Sequence, residues 1–246
     1  MSQHPTFMFL RQLFDRTSCT YTYLLADSYS KHAVLIDPVD TLVDRDLRVI
    51  SECGLQLVYV INTHAHADHI SASGIIKKRI PSVKSVMSKA SRGKADVLVK
   101  ENDSIEIGPN YSLKVIETPG HTAGCVSYYL TSPIQNEPGI VFTGDALLIR
   151  GCGRTDFQEG SSDTLFSSIR EKLFKLPHNT IVYPGHDYNG ITCSTIAEEL
   201  DFNPRLGKEK TLAEFQEIMT NLKLSYPKMI DVAVPANLND GISPGE

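Results

Sequence analysis

The sequence predicts a four-layer α/β sandwich, in which two sheets pack face to face with helices on both outer faces (αββα). Strand pairs, a helix, a strand and a helix follow one another, and much the same order then repeats. Stretches such as "LQLVYVINT" are apolar on both faces, the pattern of a strand covered on both sides. No linker or low-complexity segment divides the chain, so 1–246 reads as one domain with a helix-containing tail from about Asp201.

The elements follow in order. "TYTYLLAD" and "HAVLIDPV" read as strands, rich in β-branched, aromatic and leucine residues. "TLVDRDLRVISECG" switches to helical spacing through Leu42, Leu47, Val49 and Ile50, with Gly54 as the stop. "LQLVYVINT" is a buried strand, and "DHISASGIIKKRI" reads as a helix ending before Pro81. "VKSVMS" is a short strand and "SRGKADVLV" a helix. "DSIEIG" and "YSLKVIETPG" form a hairpin, and "CVSYYL" and "GIVFTGDALL" are further strands. "SSDTLFSSIREKLFKLP" is a helix with a serine cap, an early acid, late lysines and a proline stop. "TIVYPGH" is a strand, and "STIAEELDF" and "TLAEFQEIMTNLKL" are helices.

Composition narrows the function. Hydrophobic residues at 41% and charged residues at 22% are the balance of a globular protein. A net charge of -5 argues against a general binder of nucleic acid or membrane surfaces. No apolar run approaches the roughly 18 residues that span a bilayer. The 5 cysteines are widely spaced and contain no CxxC pair, so neither a disulfide framework nor a thiolate zinc site is expected. "MSQHPTFMFLRQLFDRT" lacks the long apolar stretch and small-residue cleavage site of a secretory signal.

The chemistry concentrates in "VINTHAHADHISASG". His64 and His66 stand at i and i+2, so in an extended segment they face one point. Asp68 and His69 follow where the chain turns and can meet the same cavity from another side. Imidazole with carboxylate suits iron, zinc or manganese better than calcium. Gathering such groups without a partner is costly, which sets them apart from His4, His32 and His178, read as ordinary histidines. "ETPGHTAGCV", "VFTGDALL" and "IVYPGHDY" each put one further ligand type, His121, Asp145 and His186, beside glycine at a strand's end. Gly120, Gly144 and Gly185 then serve tight turns. Cys152 lies between two glycines near these groups and reads as a packing residue.

The series "THAHADH", "PGHTAG", "FTGDALL", "PGHDY" resembles the metallo-β-lactamase superfamily, which implies the αββα sandwich with metal at one edge between the sheets. Two relatives compete. Glyoxalase II, a glutathione thioester hydrolase, implies two metals: one on His64, His66 and His121, the other on Asp68, His69 and His186, with Asp145 bridging. The persulfide dioxygenase (ethylmalonic encephalopathy protein) family implies one Fe(II) per chain on His64, His121 and Asp145. That triad leaves positions for persulfide and O2. His66, Asp68, His69 and His186 would then orient ligands and water from behind.

"DALLIRGCGRTDFQEGSSD", "FLRQLFDRTSCTYTYLLAD" and "LSYPKMIDVAVPANL" resemble the dioxygenase family, so the similarity runs from about Phe9 to Leu238. It implies oxidation of glutathione persulfide to sulfite and glutathione, a homodimer and a mitochondrial location. Arg154 is expected either to grip a substrate carboxylate or to pair internally with Asp156. Tyr188 is expected at the substrate, and Asp187 is expected to be a structural acceptor.

Overall fold

A computed structural model describes residues 8–131, 137–243 and 245; His4 lies outside the described residues. Strands β1 (Met8–Phe14), β2 (Tyr21–Asp27) and β3 (His32–Ile36) form an antiparallel meander. Parallel to β3 then run β4 (Gln56–Ile61), β5 (Lys84–Ser88) and β6 (Val97–Val99). The second sheet is ordered β12-β11-β10-β9-β8-β7, from β7 (Ser104–Glu106), β8 (Ser112–Glu117), β9 (Val126–Leu130), β10 (Ile140–Gly144), β11 (Ile181–Pro184) and β12 (Ser194–Thr195). Its one parallel pair among the described residues is β10 with β11.

Alternation along β2 shows how the four layers arise. Tyr21, Tyr23 and Leu25 face the second sheet, packing with Leu113, Tyr128 and Phe142. Leu24 and Ala26 face outward and are covered by Val43 and Ile50 of α1 (Val43–Glu52) and Ile76 of α2 (Ser73–Arg79). On the opposite face, Val141 and Val182 pack under Leu165 and Ile169 of α3 (Ser162–Glu171). Ile196 of α4 (Ile196–Phe202) and Phe215 of α5 (Leu212–Thr220) complete that layer. Each such side chain, fully buried, is worth about 1.5–3 kcal/mol. The αββα sandwich expected from the sequence is the architecture observed.

Three expectations are corrected. "SRGKADVLV" is not a helix: Ser88 accepts from the Ala90 N–H to start a single turn at Lys89–Ser91, Arg92 takes φ 57, and the apolar run becomes β6 on the sheet edge. A short apolar run is ambiguous in period, and pairing with β5 decides it. The helix in "DHISASGIIKKRI" begins only at Ser73, because Ser71 is held by Asn62 and Asn237 side chains instead of by helical bonds. The tail contains one more helix, α6 (Ile230–Leu238), which carries Pro235 in its interior. The caps of α3, α4 and α5 are Ser161, Thr195 and Thr211, and the last forms a full capping box with Glu214.

Strands β3 and β4 end at the same edge as β10 and β11, and there the two sheets are stitched together. The Tyr23 hydroxyl donates to the Pro184 carbonyl at 2.6 Å, and the Val126 N–H donates to the Thr63 carbonyl at 2.9 Å. Every loop that carries a candidate ligand opens at this edge.

Candidate metal centre

His64, His121 and Asp145 come from three loops, after β4, β8 and β10, yet their ligand atoms lie within 4.8 Å of one another. Each histidine has its far nitrogen already engaged. His64 Nδ1 meets the Thr63 hydroxyl at 2.9 Å, and that hydroxyl donates to Asp37 Oδ2 at 2.8 Å, so it accepts from His64. His121 Nδ1 donates to the Arg154 carbonyl at 2.6 Å. Both rings therefore turn Nε2, with its free lone pair, toward the shared space. Asp145 Oδ2 stands 3.7 Å from His121 Nε2, and Asp145 Oδ1 is buried without a hydrogen-bond partner.

Burial, then the neighbouring His66 and His121, hold the His64 pKa well below the usual imidazole range, so it is neutral and ready to ligate. Gly144 makes the approach possible. Its φ is 49, and a Cβ there would collide with the Thr63 hydroxyl. At Gly185 a Cβ would stand 2.5 Å from Asp145 Oδ1.

His66, Asp68 and His69 form a second group with ligand atoms within 4.8 Å. Its polar atoms are more engaged than those of the first. His66 Nε2 meets Asp37 Oδ1 at 3.0 Å, and His69 Nδ1 meets Asp68 Oδ2 at 2.9 Å. Asp68 Oδ2 also accepts from the Thr20 hydroxyl at 3.1 Å and lies 3.6 Å from His186 Nε2. Burial alone would lower the His66 pKa, but Asp37 raises it to about 9. Burial would raise the Asp68 pKa, yet His69 and His186 hold it well below the carboxylate range. His66 Nδ1 and His69 Nε2 are left buried and unpartnered. His186 touches both groups, with Nε2 also 3.6 Å from Asp145 Oδ1. The donor set fits a metal: unpartnered buried ligand atoms converge, and the rings are pinned from behind.

A cavity of about 570 Å³ opens on the first group, and its far wall is built by residues beyond His186. Backbone anchors hold that wall. Glu199, fully buried, accepts from the Arg150 N–H at 2.9 Å, Asn203 donates to the Gly151 carbonyl at 3.1 Å, and Arg205 to the Cys152 carbonyl at 3.0 Å.

Arg154 is paired internally. Its fork takes both Asp156 oxygens at 2.6 and 2.7 Å, and Nη1 donates to the Ser225 carbonyl at 2.8 Å. The fork is filled by Asp156, the internal pair that is one of the two expectations, while the residue also lines the cavity. Tyr188 stacks on the His186 ring, with centroids 6.0 Å apart and planes 4° apart. Desolvation, then Asp145 and Asp68, push its phenol pKa up, so it stays protonated. Asp187 accepts from the Asn189 and Ile191 N–H groups at 2.9 and 2.7 Å, a loop-shaping role. Cys152 packs against Met219 Sδ at 3.7 Å, with its thiol pKa pushed by burial to about 11.

Sequence reasoning missed Asp37, Thr63 and Thr20 behind the histidines, and Arg205 and Lys228 on the cavity wall. The one visible signal was Asp37, a lone acid closing the apolar run "HAVLI".

The family model of the metallo-beta-lactamase superfamily matches residues 19–186. Over 233 residues the chain is 50% identical to the mitochondrial persulfide dioxygenase ETHE1 of Mus musculus, covering 95% of this chain and 89% of that protein. The crystal structure of ETHE1 from Myxococcus xanthus superposes with TM-score 0.88 at 48% identity, covering 95% of this chain and 99% of that one. A cytoplasmic hydroxyacylglutathione hydrolase of Arabidopsis thaliana is more distant, 31% identical over 189 residues, 76% of this chain and 70% of that protein.

Proposed function

The chain belongs to the metallo-β-lactamase superfamily, and on that premise we propose that it is a persulfide dioxygenase that oxidises glutathione persulfide with O2 and water to glutathione and sulfite. The observation that carries the reading is 50% identity to a persulfide dioxygenase along 95% of the chain. The convergence of two histidines and one carboxylate on a single open space supports it. That donor set is the facial triad of non-haem iron oxygenases.

In this reading one Fe(II) per chain is held by His64 Nε2, His121 Nε2 and the Asp145 carboxylate. When bound, it supplies the redox chemistry by which O2 and a sulfur nucleophile react. The chain's own residues do the rest. Thr63 and the Arg154 carbonyl fix the two imidazoles in the tautomer that presents Nε2. Leu148 and Ile149 give the cavity part of its apolar lining. Tyr188, on the cavity lining and stacked on the His186 ring, would offer its hydroxyl to the substrate. Asp68 Oδ2 joins Thr20, His69 and His186 in a network that would orient the water the reaction consumes. Arg205 and Lys228 carry positive charge along the wall, where glutathione presents its two carboxylates.

The second set, His66, Asp68, His69 and His186, orients ligands and water in this reading. The same set keeps a binuclear thioester hydrolase as the alternative, and the Arabidopsis relative favours it at 31% identity. We read residues 1–246 as one domain, the chain as a homodimer, and its location as mitochondrial, the last from the relatives' names. Among the described residues no helix is long and apolar enough to cross a membrane.

The test is oxygen uptake by iron-analysed protein given glutathione persulfide, with a glutathione thioester in parallel. Uptake with sulfite formation at one iron per chain is expected. Thioester hydrolysis at two metals per chain, without uptake, would replace this reading with the hydrolase.

A further inference from the structure

The loop from Asn62 to Ala72 carries four of the candidate ligands and has little regular structure, so its backbone groups need partners from elsewhere. Three of them are met by one side chain from the other end of the protein. Asn237 of α6 donates through Nδ2 to the carbonyls of His66 and His69, each at 2.8 Å. Its Oδ1 accepts from the Ser71 N–H at 2.7 Å. The residue is 1% exposed. The reverse orientation of the amide would turn its oxygen against two carbonyls and its NH2 against an N–H, so this one arrangement satisfies the whole group.

The neighbouring residues hold Asn237 in register. The Leu238 carbonyl accepts from the Lys94 N–H at 2.8 Å, and Asp240 binds Lys77 at 2.6 Å. Gly241, at φ 72, lies so close behind the Ser71 carbonyl that a Cβ would collide with it. None of the three Asn237 bonds caps or extends α6. All three run into the ligand loop, two of them to the carbonyls of histidines whose rings face the centre. The residue lies outside the segment matched by the family model, which ends at 186.

We infer that Asn237 is a positioning residue for the metal loop: the last helix clamps the segment that bears His64, His66, Asp68 and His69, and so sets how tightly the centre holds its ion. The inference rests on the reading that this loop holds a metal. In that reading Asn237 holds the backbone of His66 and His69 and not a ligand side chain, so its effect falls at the lower end of the ~10–100-fold that groups bonded to ligands contribute to metal affinity.

The test compares wild type, Asn237→Ala, Asn237→Asp and Lys94→Ala. Asn237→Asp keeps the shape and the acceptor for Ser71 but loses both donors, so it serves if the alanine variant folds poorly. Lys94→Ala removes only an exposed side-chain contact with Asn239 and keeps the backbone N–H that Leu238 accepts from, so Asn237 stays in place. Two quantities are read: release of Fe(II) from loaded protein to a chromogenic chelator, and amide exchange over residues 64–71 in metal-free protein. The expected result is ~10-fold faster release, with faster exchange in that loop, for both Asn237 variants and not for Lys94→Ala. Wild-type rates in the Asn237 variants would overturn the inference. So would equal acceleration in Lys94→Ala, or faster exchange with unchanged release. A wild-type protein that takes up no Fe(II) fails in its own control, which sinks the metal reading and this inference with it. Faster release confined to the variants cannot be confused with that outcome.

Discussion

Two groups of ligand-type side chains stand side by side, with the His64 and His66 rings only 4.1 Å apart between centroids, yet they are wired differently. In the group of His64, His121 and Asp145, each imidazole is tied behind to a neutral acceptor, a hydroxyl or a carbonyl, and its front nitrogen is left open. In the group of His66, Asp68 and His69, each imidazole is tied instead to a carboxylate, Asp37 or Asp68, and its other nitrogen is left unpartnered. A shared HxHxDH spacing therefore does not make its members equivalent. Every one of the four rings leaves one nitrogen unshared, and what lies behind it, a neutral oxygen or a carboxylate, decides how much positive charge the ring holds.

The comparison breaks most sharply at His121. Removing it in His121→Ala is expected to abolish nearly all oxygen uptake and most bound iron. Retention of both, measured by oxygen electrode and metal analysis, would dissolve the distinction between the groups. Asp68→Asn is the mirror experiment. It should leave iron near one per chain while slowing turnover by ~10–100-fold, because it disturbs groups behind the centre and not the centre itself. Loss of a second equivalent of metal in that variant would instead make the two groups equal partners.

Smaller effects sharpen the picture at the cavity wall. Lys228→Ala should raise KM two- to fivefold, about 0.5–1 kcal/mol for an exposed charge contact, with kcat unchanged. Arg154→Ala should leave KM within about threefold of wild type, since its fork is already filled by Asp156. A larger KM rise at Arg154 than at Lys228 would mean that substrate displaces Asp156. These four measurements run from the group tied to neutral oxygens, through the one tied to carboxylates, to the wall.

Much of the front of the candidate centre could be read in the sequence, because each residue that converges there leaves a local mark. His64 and His66 share a face through i, i+2 spacing, and His121, Asp145 and His186 each end an apolar strand beside glycine. The back of the centre could not be read in this way. Thr63, Asp37 and Thr20 are small polar residues of common type, and their meaning comes from register across strands that pair far apart in sequence. The helix written for "SRGKADVLV" failed for a similar reason: Val97 and Val99 fit either period, and the edge of β5 chooses. Arg154 shows the converse limit. Its type suited a carboxylate, but Asp156, two residues on, is the carboxylate it holds.

The grip of Asn237 on the ligand loop also imposes an order on the protein's birth. Asn237 follows Ser71 by 166 residues, which at ~5–20 residues per second of synthesis is about ten to thirty seconds. Through that interval the nascent chain carries its HxHxDH loop with two histidine carbonyls and one amide still unclamped. The loop thus gains its clamp only near the end of synthesis, although His64, its first candidate ligand, is made when about a quarter of the chain exists.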